Sequence, residues 1–180
     1  MSSDLVAAFF GARGQGKSTQ AKALLEVQDP RRLLVFDPMD EYGPFADRVS
    51  SLGELLARVR AGGSFRLRYV PPPILGLEKK DGALIRTRFN TLCAIAYQAG
   101  ELLLLADELQ LVTAAGYAPP AWRQCTSTGR HVGLAIVGIS QRPALIDKGL
   151  FSNATTVSTC RLNFEDDVQT MARVLGVSAE

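Results

Sequence analysis

The sequence has little of what several common functional sites require. It contains a single histidine, His131, which excludes a metal site built from several histidines. Its three cysteines, Cys93, Cys125 and Cys160, are odd in number, far apart and without a CxxC pair. Neither a disulfide framework nor a cysteine metal site fits this spacing, so we expect free thiols in a reducing compartment.

Long hydrophobic segments and a strong charge are absent as well. No apolar run approaches the 18 or more residues that a membrane helix needs. The N-terminus has Asp4 before its apolar run and no positively charged region, so it lacks the form of a signal peptide. The formal net charge of +2 is too small to indicate a partner by itself. These features predict a soluble protein.

Length and composition are ordinary for a globular chain. The 180 residues are 47% hydrophobic and 21% charged. We find no internal repeat and no linker, so we expect one domain over residues 1–180. The charge is uneven, because residues 58–88 carry eight basic side chains against two acidic ones. This stretch is either a binding surface for a polyanion or a solvated face.

Short apolar runs alternate with helical patterns along the chain. The predicted buried strands are apolar at consecutive positions, as expected when both faces of a sheet are covered: residues 5–10, 33–36, 102–106, 134–139 and 155–160. Residues 65–69 alternate apolar side chains with arginines, which predicts a strand nearer the sheet edge with one wet face. The predicted helices have apolar residues on one face or end at a glycine: residues 17–27, 53–61, 90–99, 121–128 and 165–175. Loops are predicted at 74–87 and 114–120, and the alternation predicts a mainly parallel α/β sheet with helices on both faces.

The segment GARGQGKS, residues 11–18, fits the Walker A pattern GxxxxGK followed by Ser or Thr. It follows a predicted strand and opens a predicted helix, which is the context that this pattern requires. We expect Lys17 to reach the β- and γ-phosphates of ATP and the Ser18 hydroxyl to bind Mg²⁺. The predicted nucleotide-binding residues are consecutive: Gly11, Ala12, Arg13, Gly14, Gln15, Gly16, Lys17, Ser18 and Thr19.

The segment LLLLADE, residues 102–108, has the form of a Walker B motif. A strand would deliver Asp107 to the carboxyl edge of the sheet beside the phosphate loop, where it would hold Mg²⁺ with Ser18. Glu108 would polarise the attacking water, which favours a hydrolase over a kinase. An Asp-Glu pair after a strand is also a common helix N-cap. With the phosphate loop, the pair predicts a P-loop NTPase fold of the RecA-like (ASCE) class, a three-layer sandwich.

A third polar strand end occurs in GLAIVGISQRP, residues 133–143. Ser140 and Gln141 would be in line to sense the γ-phosphate and the water. The alternative is an ordinary strand end with a turn at Pro143.

Residues 128–162, TGRHVGLAIVGISQRPALIDKGLFSNATTVSTCRL, resemble the core of the FtsK/HerA superfamily of DNA-pumping ATPases. The segment FDPMDEYG, residues 36–43, resembles the Asp-Pro and acidic-Tyr-Gly motif of HerA-like members. The small size resembles the compact genome-packaging ATPases of phages and viruses. Members of the superfamily often continue beyond the last core strand. This sequence stops at Glu180, either as a minimal motor or as a piece of a longer chain.

The resemblance implies a phage-encoded, ATP-driven DNA translocase that forms a homo-oligomeric, hexameric ring around double-stranded DNA without reading its sequence. It implies capsid or virion-membrane partners and a location in the host cytoplasm or the virion. It also implies an arginine finger from the neighbouring subunit, for which Arg130 occupies the matching position. Arg142 and Arg123 are the next candidates.

Two other functions are also compatible with the sequence. One is a small-molecule or nucleoside kinase, in which residues 79–88 would form a basic lid over the phosphates. The other is a filamentous-phage morphogenesis ATPase, although that family carries a membrane span that this sequence lacks.

Overall fold

The computed structural model describes residues 5–72 and 79–178 of the protein, with residues 79–81 described by their backbone alone. Within these residues the chain forms seven strands and six α-helices. In chain order they are β1 (Val6–Phe10), α1 (Lys17–Gln28), β2 (Arg32–Phe36), β3 (Asp47–Val49), α2 (Leu52–Arg60), β4 (Phe65–Tyr69), α3 (Lys79–Ala99), β5 (Leu102–Ala106), α4 (Pro120–Thr128), β6 (Leu134–Ser140), α5 (Lys148–Asn153), β7 (Thr156–Thr159) and α6 (Glu165–Leu175).

The strands form one sheet in the order β3-β4-β2-β5-β6-β1-β7, and every pairing is parallel. Alternate residues of the four central strands, β2, β5, β6 and β1, enter two separate cores. In β5, Leu103 and Leu105 pack on the α1 side, whereas Leu102 and Leu104 pack on the side of the other five helices. This arrangement confirms the predicted α/β three-layer fold and explains why the central strands are apolar at consecutive positions.

The structure corrects several predicted elements. The short strand β3 was not predicted and lies outside β4, so residues 65–69 form the second strand from the edge. The predicted loop 74–87 is wrong over 79–87, where α3 begins at Lys79. Residues 74–78 of that loop lie outside the described residues. Helix α5 is missing from the prediction, and β7 is a partly exposed edge strand, whereas its sequence predicts a strand covered on both faces.

The three cysteines are free thiols, as predicted, with Cys93 and Cys125 buried and Cys160 partly exposed. In the part of the chain that the structure describes, no helix has both the length and the apolar character needed to cross a membrane.

Candidate active site

Four neighbouring strands end at the same edge of the sheet with polar or glycine residues. Asp37 follows β2, Asp107 follows β5, Gln141 follows β6 and Gly11 follows β1. Because these strands are adjacent and parallel, their carboxyl ends form a continuous line. In open α/β sheets ligands bind outside this edge.

The loop between β1 and α1 has the backbone of a phosphate-binding turn. Gly11, Gly14 and Gly16 have φ values of 154°, 75° and 86°, which residues with a Cβ rarely adopt. A Cβ at Gly11 would lie 2.9 Å from the Cβ of Cys160, so the loop is packed closely against the chain after β7. No side chain caps the first turn of α1. Its backbone N–H groups and positive dipole end therefore suit an anion.

Lys17 is 7% exposed and donates a hydrogen bond from its Nζ to the carbonyl oxygen of Ala12, at 2.9 Å. The ammonium group thus folds back over the loop, where a phosphate could replace the carbonyl as acceptor. Around it Ala12 is buried, Ser18 is half-buried, and the remaining predicted contacts are exposed at the mouth of the loop: Arg13, Gln15 and Thr19.

Asp107 is the buried carboxylate of the site, at 3% exposure. Its Oδ1 accepts the backbone N–H of Glu108 at 2.8 Å. Burial, and after it the charge of Glu108, raises the pKa of Asp107 to about 7. A carboxylate in this position gains from a cation beside it.

The donor set fits Mg²⁺. The Ser18 hydroxyl and the Asp107 carboxylate are oxygen ligands, and Mg²⁺ in nucleotide sites takes one or two protein ligands together with phosphates and waters. Among the described residues, no group of three or more His, Cys, Asp or Glu side chains could hold a metal. The arrangement therefore suits a metal ion that binds together with a nucleotide. It does not suit a metal ion whose ligands all come from the protein.

Glu108 has a strained backbone conformation, and both oxygens of its carboxylate accept hydrogen bonds. It has left-handed backbone angles (φ 52°, ψ 48°) although it is not glycine. Its Oε1 accepts from Gln141 Nε2 at 2.5 Å, and its Oε2 accepts from Gln110 Nε2. The Ser140 hydroxyl donates to Gln110 Oε1 at 2.7 Å. The two predicted polar residues at the end of β6, Ser140 and Gln141, and the predicted water-activating residue are therefore parts of one hydrogen-bond network.

Gln110 belongs to this network and was missed in the sequence. It lies in a 3-10 turn, Leu109–Leu111, that folds the chain back on Glu108. A polar residue two positions after an acidic pair was the only available signal, and it is a weak one.

The segment after β2 forms one wall of the site. Asp37 is fully buried and accepts the backbone N–H groups of Glu41 and Tyr42 at 2.9 and 3.0 Å, together with Arg68 Nη1 at 3.1 Å. Tyr42 is also fully buried, beside Ser18 and Asp107. Burial, and then the charge of Asp107, raises the pKa of Tyr42 far above its usual 10, so the phenol stays protonated.

The arginine candidates lie in different places. Arg130 is exposed in a 3-10 turn before β6 and lines a cavity of about 180 Å³ with residues at the amino ends of β1 and β6, Val6 and Leu134. It is thus at the edge opposite the phosphate loop. Arg142 donates to the buried Asp167 at 2.7 Å and lies 3.9 Å from the ring centre of Phe164. Arg123 is exposed on α4.

Three of the eight basic residues in the 58–88 stretch are paired with acidic side chains of the chain itself, and the side chains of Lys79 and Lys80 lie outside the described part of the structure. Arg58 contacts Asp47, Arg66 contacts Asp29, and Arg68 contacts both Asp37 and Asp40. Arg68 has only 12% of its side chain exposed, so its role is structural. The interpretation of the whole stretch as a polyanion surface is therefore wrong for Arg68 and weakened for Arg58 and Arg66.

Comparisons with known proteins agree with this geometry. No family model matches the chain. It is 27% identical over 158 residues to Protein P9 of Pseudoalteromonas phage PM2, which covers 86% of this chain and 64% of that protein. The chain therefore spans less than two thirds of the length of this relative.

Among solved structures, the genome packaging NTPase B204 of Sulfolobus turreted icosahedral virus 2 in complex with AMPPCP matches with a TM-score of 0.71 and 16% identity, covering 96% of this chain and 83% of that one. The DNA-packaging ATPase B204 of Sulfolobus turreted icosahedral virus matches with a TM-score of 0.66 and 16% identity, covering 97% and 84%. The fold is that of a P-loop NTPase. Within that class the chain resembles the compact genome-packaging ATPases of viruses, as its motifs predict.

Proposed function

We propose that this chain is a Mg²⁺-dependent ATPase that drives packaging of a DNA genome. The observation that carries the proposal is the meeting of the Gly11–Ser18 loop, Asp107, Glu108 and Gln141 at one edge of the sheet. These groups supply the phosphate cradle, the metal ligand and the water-orienting residues that phosphoryl transfer to water needs.

The loop binds and orients the nucleotide. Its glycines turn backbone N–H groups toward the phosphates, and Lys17 exchanges its Ala12 acceptor for a β- or γ-phosphate oxygen. Ser18 and Asp107 would hold Mg²⁺, which would neutralise charge that develops on the phosphates. Because Asp107 is buried beside Glu108, a cation there would also relieve repulsion between the two carboxylates.

Glu108 acts on the attacking water. Its carboxylate is fixed by amide donors from Gln141 and Gln110, so it can accept a water proton without first being oriented. Gln141 lies at the end of β6 and links Glu108 to the γ-phosphate side of the cleft. A kinase positions an acceptor hydroxyl at this point, whereas a glutamate fixed directly after the proposed magnesium aspartate favours the activation of water.

DNA as the cargo and a ring as the assembly rest on the resemblance to the packaging ATPases. Fold similarity at 16% identity to a protein described as a DNA-packaging ATPase supports this assignment. Among the basic residues of the 58–88 stretch, Arg60 and Arg86 are exposed and remain candidates for backbone contacts to DNA. Such contacts require charge and no base readout.

The test is ATP hydrolysis by the purified protein, with and without double-stranded DNA. We expect Mg²⁺-dependent phosphate release that rises when DNA is added, and its loss in Lys17→Ala. Lys148→Ala, an exposed lysine on α5, is the matched control and should hydrolyse like the wild type. Turnover in Lys17→Ala would contradict the assignment of the site. Stimulation by a nucleoside, with a phosphorylated product and no effect of DNA, would identify a kinase.

A further inference from the structure

The hydroxyl of Tyr42 is a buried polar group without a partner. The side chain is fully buried, and its oxygen finds no hydrogen-bond acceptor or donor among the described residues. Buried tyrosine hydroxyls normally have a partner, because desolvating one without compensation is unfavourable. The exception therefore needs an explanation at this site.

The Tyr42 ring is enclosed, and the segment that carries it is tied down. The backbone N–H of Tyr42 is tied to Asp37 Oδ2 at 3.0 Å, and Asp37 is tied to Arg68 at 3.1 Å. Lys22 of α1 lies 5.5 Å from the ring centre and covers one face. The ring is thus clamped between α1 and the segment after β2.

The hydroxyl is directed at the two predicted metal ligands. Ser18 and Asp107 are its polar neighbours, and neither makes a well-formed hydrogen bond with it. Asp107 has its Oδ1 bonded to the Glu108 N–H, which leaves Oδ2 to be oriented by another group. Carboxylates that bind metals are themselves held by neighbouring donors, and removing such a donor typically weakens metal binding about 10- to 100-fold.

We propose that Tyr42 is a positioning residue that donates its hydroxyl hydrogen to Asp107 and thereby holds this carboxylate toward Ser18 for Mg²⁺. This inference rests on the proposed function of the site. In this proposal the segment FDPMDEYG, residues 36–43, holds a hydrogen-bond donor in a fixed position beside Asp107. It also assigns Asp37 and Arg68 the task of fixing that anchor.

The experiment separates metal binding from nucleotide binding. A fluorescent, non-hydrolysable ATP analogue is titrated first in EDTA and then at a fixed concentration with increasing Mg²⁺. Tyr42→Phe should bind the analogue like the wild type in EDTA but require about 10-fold more Mg²⁺ for the metal-dependent increase. Tyr69→Phe, which removes a hydroxyl from another buried tyrosine at the end of β4, is the control and should match the wild type throughout.

Three outcomes would overturn the inference. Equal Mg²⁺ requirement in Tyr42→Phe and the wild type would show that the hydroxyl does not act on the metal ligand. An equal fall of affinity with and without Mg²⁺ would assign Tyr42 a structural role. If Tyr42→Phe and Tyr69→Phe changed the Mg²⁺ requirement equally, Tyr42 would also be assigned a structural role. A wild-type protein without metal-dependent nucleotide binding would instead overturn the proposed function itself.

Discussion

At the scale of single residues, Asp107 is a side chain that the proposed site needs and that lowers the stability of the folded protein. It is 3% exposed, lies beside Glu108 and has a pKa raised to about 7. Such a carboxylate is unfavourable in the metal-free protein at neutral pH. The cation that the proposed function places beside Asp107 would remove this cost.

This conflict predicts that Asp107→Asn stabilises the metal-free protein. Because the folded-state pKa is raised above the unfolded value near 3.8, the stability associated with this group is present below pH 4 and is lost as pH rises to about 7. In EDTA at pH 8 the variant should therefore melt several degrees higher than the wild type, which corresponds to about 2 kcal/mol or more. The measurement is thermal unfolding between pH 5 and pH 8.

The difference should shrink toward pH 5, where Asp107 is mostly protonated. Glu26→Gln, an exposed change on α1, should leave the pH profile unaltered. A wild-type protein at least as stable as Asp107→Asn at pH 8 would contradict the prediction.

A second residue-scale prediction concerns Glu108→Gln. The amide retains the shape but cannot accept a proton, so ATP should bind normally and hydrolysis should fall about 100-fold or more. The measurement pairs analogue affinity with single-turnover phosphate release. Glu101→Gln, exposed at the other end of β5, is the control. Near wild-type hydrolysis in Glu108→Gln would place the base elsewhere.

The sequence was informative about residues that directly follow an apolar strand. Gly11, Asp107 and Gln141 directly follow β1, β5 and β6, and they could be placed at one edge because parallel strands share their carboxyl ends. The Walker A pattern then placed Lys17 at the end of the loop that starts at Gly11. Gln110 could not be placed, since its contact with Glu108 depends on a 3-10 turn and on a left-handed backbone that residue preferences disfavour.

At the scale of elements, β4 carries two arginines that lie in different environments. Arg66 and Arg68 are two positions apart, so both start on the same face of the strand. Arg68 reaches the fully buried Asp37, whereas Arg66 contacts Asp29, whose side chain is 78% exposed. The same side-chain type therefore makes a structural ion pair and a surface one.

Arg68→Met should destabilise the protein by about 3 kcal/mol, because it leaves Asp37 buried without its cation. Arg66→Met should cost less than about 1 kcal/mol, because its ion pair is solvated and screened. Urea unfolding measures the free energy of unfolding of both variants. The substitution is the same in each, so the difference reflects the two ion pairs. Equal losses of stability would show that the Asp37 pair does not anchor the segment after β2.

The errors in element prediction share a physical cause. Strand β3 has three residues, two of them exposed, so it carries no hydrophobic pattern to detect. Helix α3 places Ile85, Phe89 and Leu92 on one buried face, but Gly82 and the charged residues before it resembled a loop. Strand β7 was placed nearly correctly, yet its position at the sheet edge depends on topology that local sequence does not contain.

At the scale of the whole molecule, the position of Arg130 limits its role. It precedes β6 and Gln141 follows β6, and seven residues of strand span roughly 20 Å at about 3.3 Å per residue. Arg130 therefore cannot reach the γ-phosphate in its own subunit. A catalytic role requires a neighbouring subunit that presents its amino edge to this carboxyl edge.

Mixing Lys17→Ala with Arg130→Ala tests this arrangement. Each variant should be inactive alone, because one lacks the phosphate lysine and the other the neighbour's arginine. In mixed rings some interfaces pair an intact Lys17 with an intact Arg130, so part of the ATPase activity should return. Arg123→Ala, an exposed arginine on α4, should be active alone if Arg130 is the finger.

Two results would contradict the trans role. Full activity of Arg130→Ala alone would show that Arg130 is not required. Inactive single variants with an inactive mixture, under conditions where subunits exchange, would assign Arg130 a structural role in the cavity that it lines.

The packing of Cys160 against Gly11 has a practical consequence for spectroscopy. Cys93 and Cys125 are sealed in the core, whereas Cys160 is partly exposed and its Sγ accepts a hydrogen bond from Gln20 of α1 at 3.3 Å. A maleimide fluorophore or spin label would therefore attach at one position in the native protein, without engineering. That position adjoins the first glycine of the loop, so the label would sense any change of the loop's surroundings, including the binding of nucleotide that we propose.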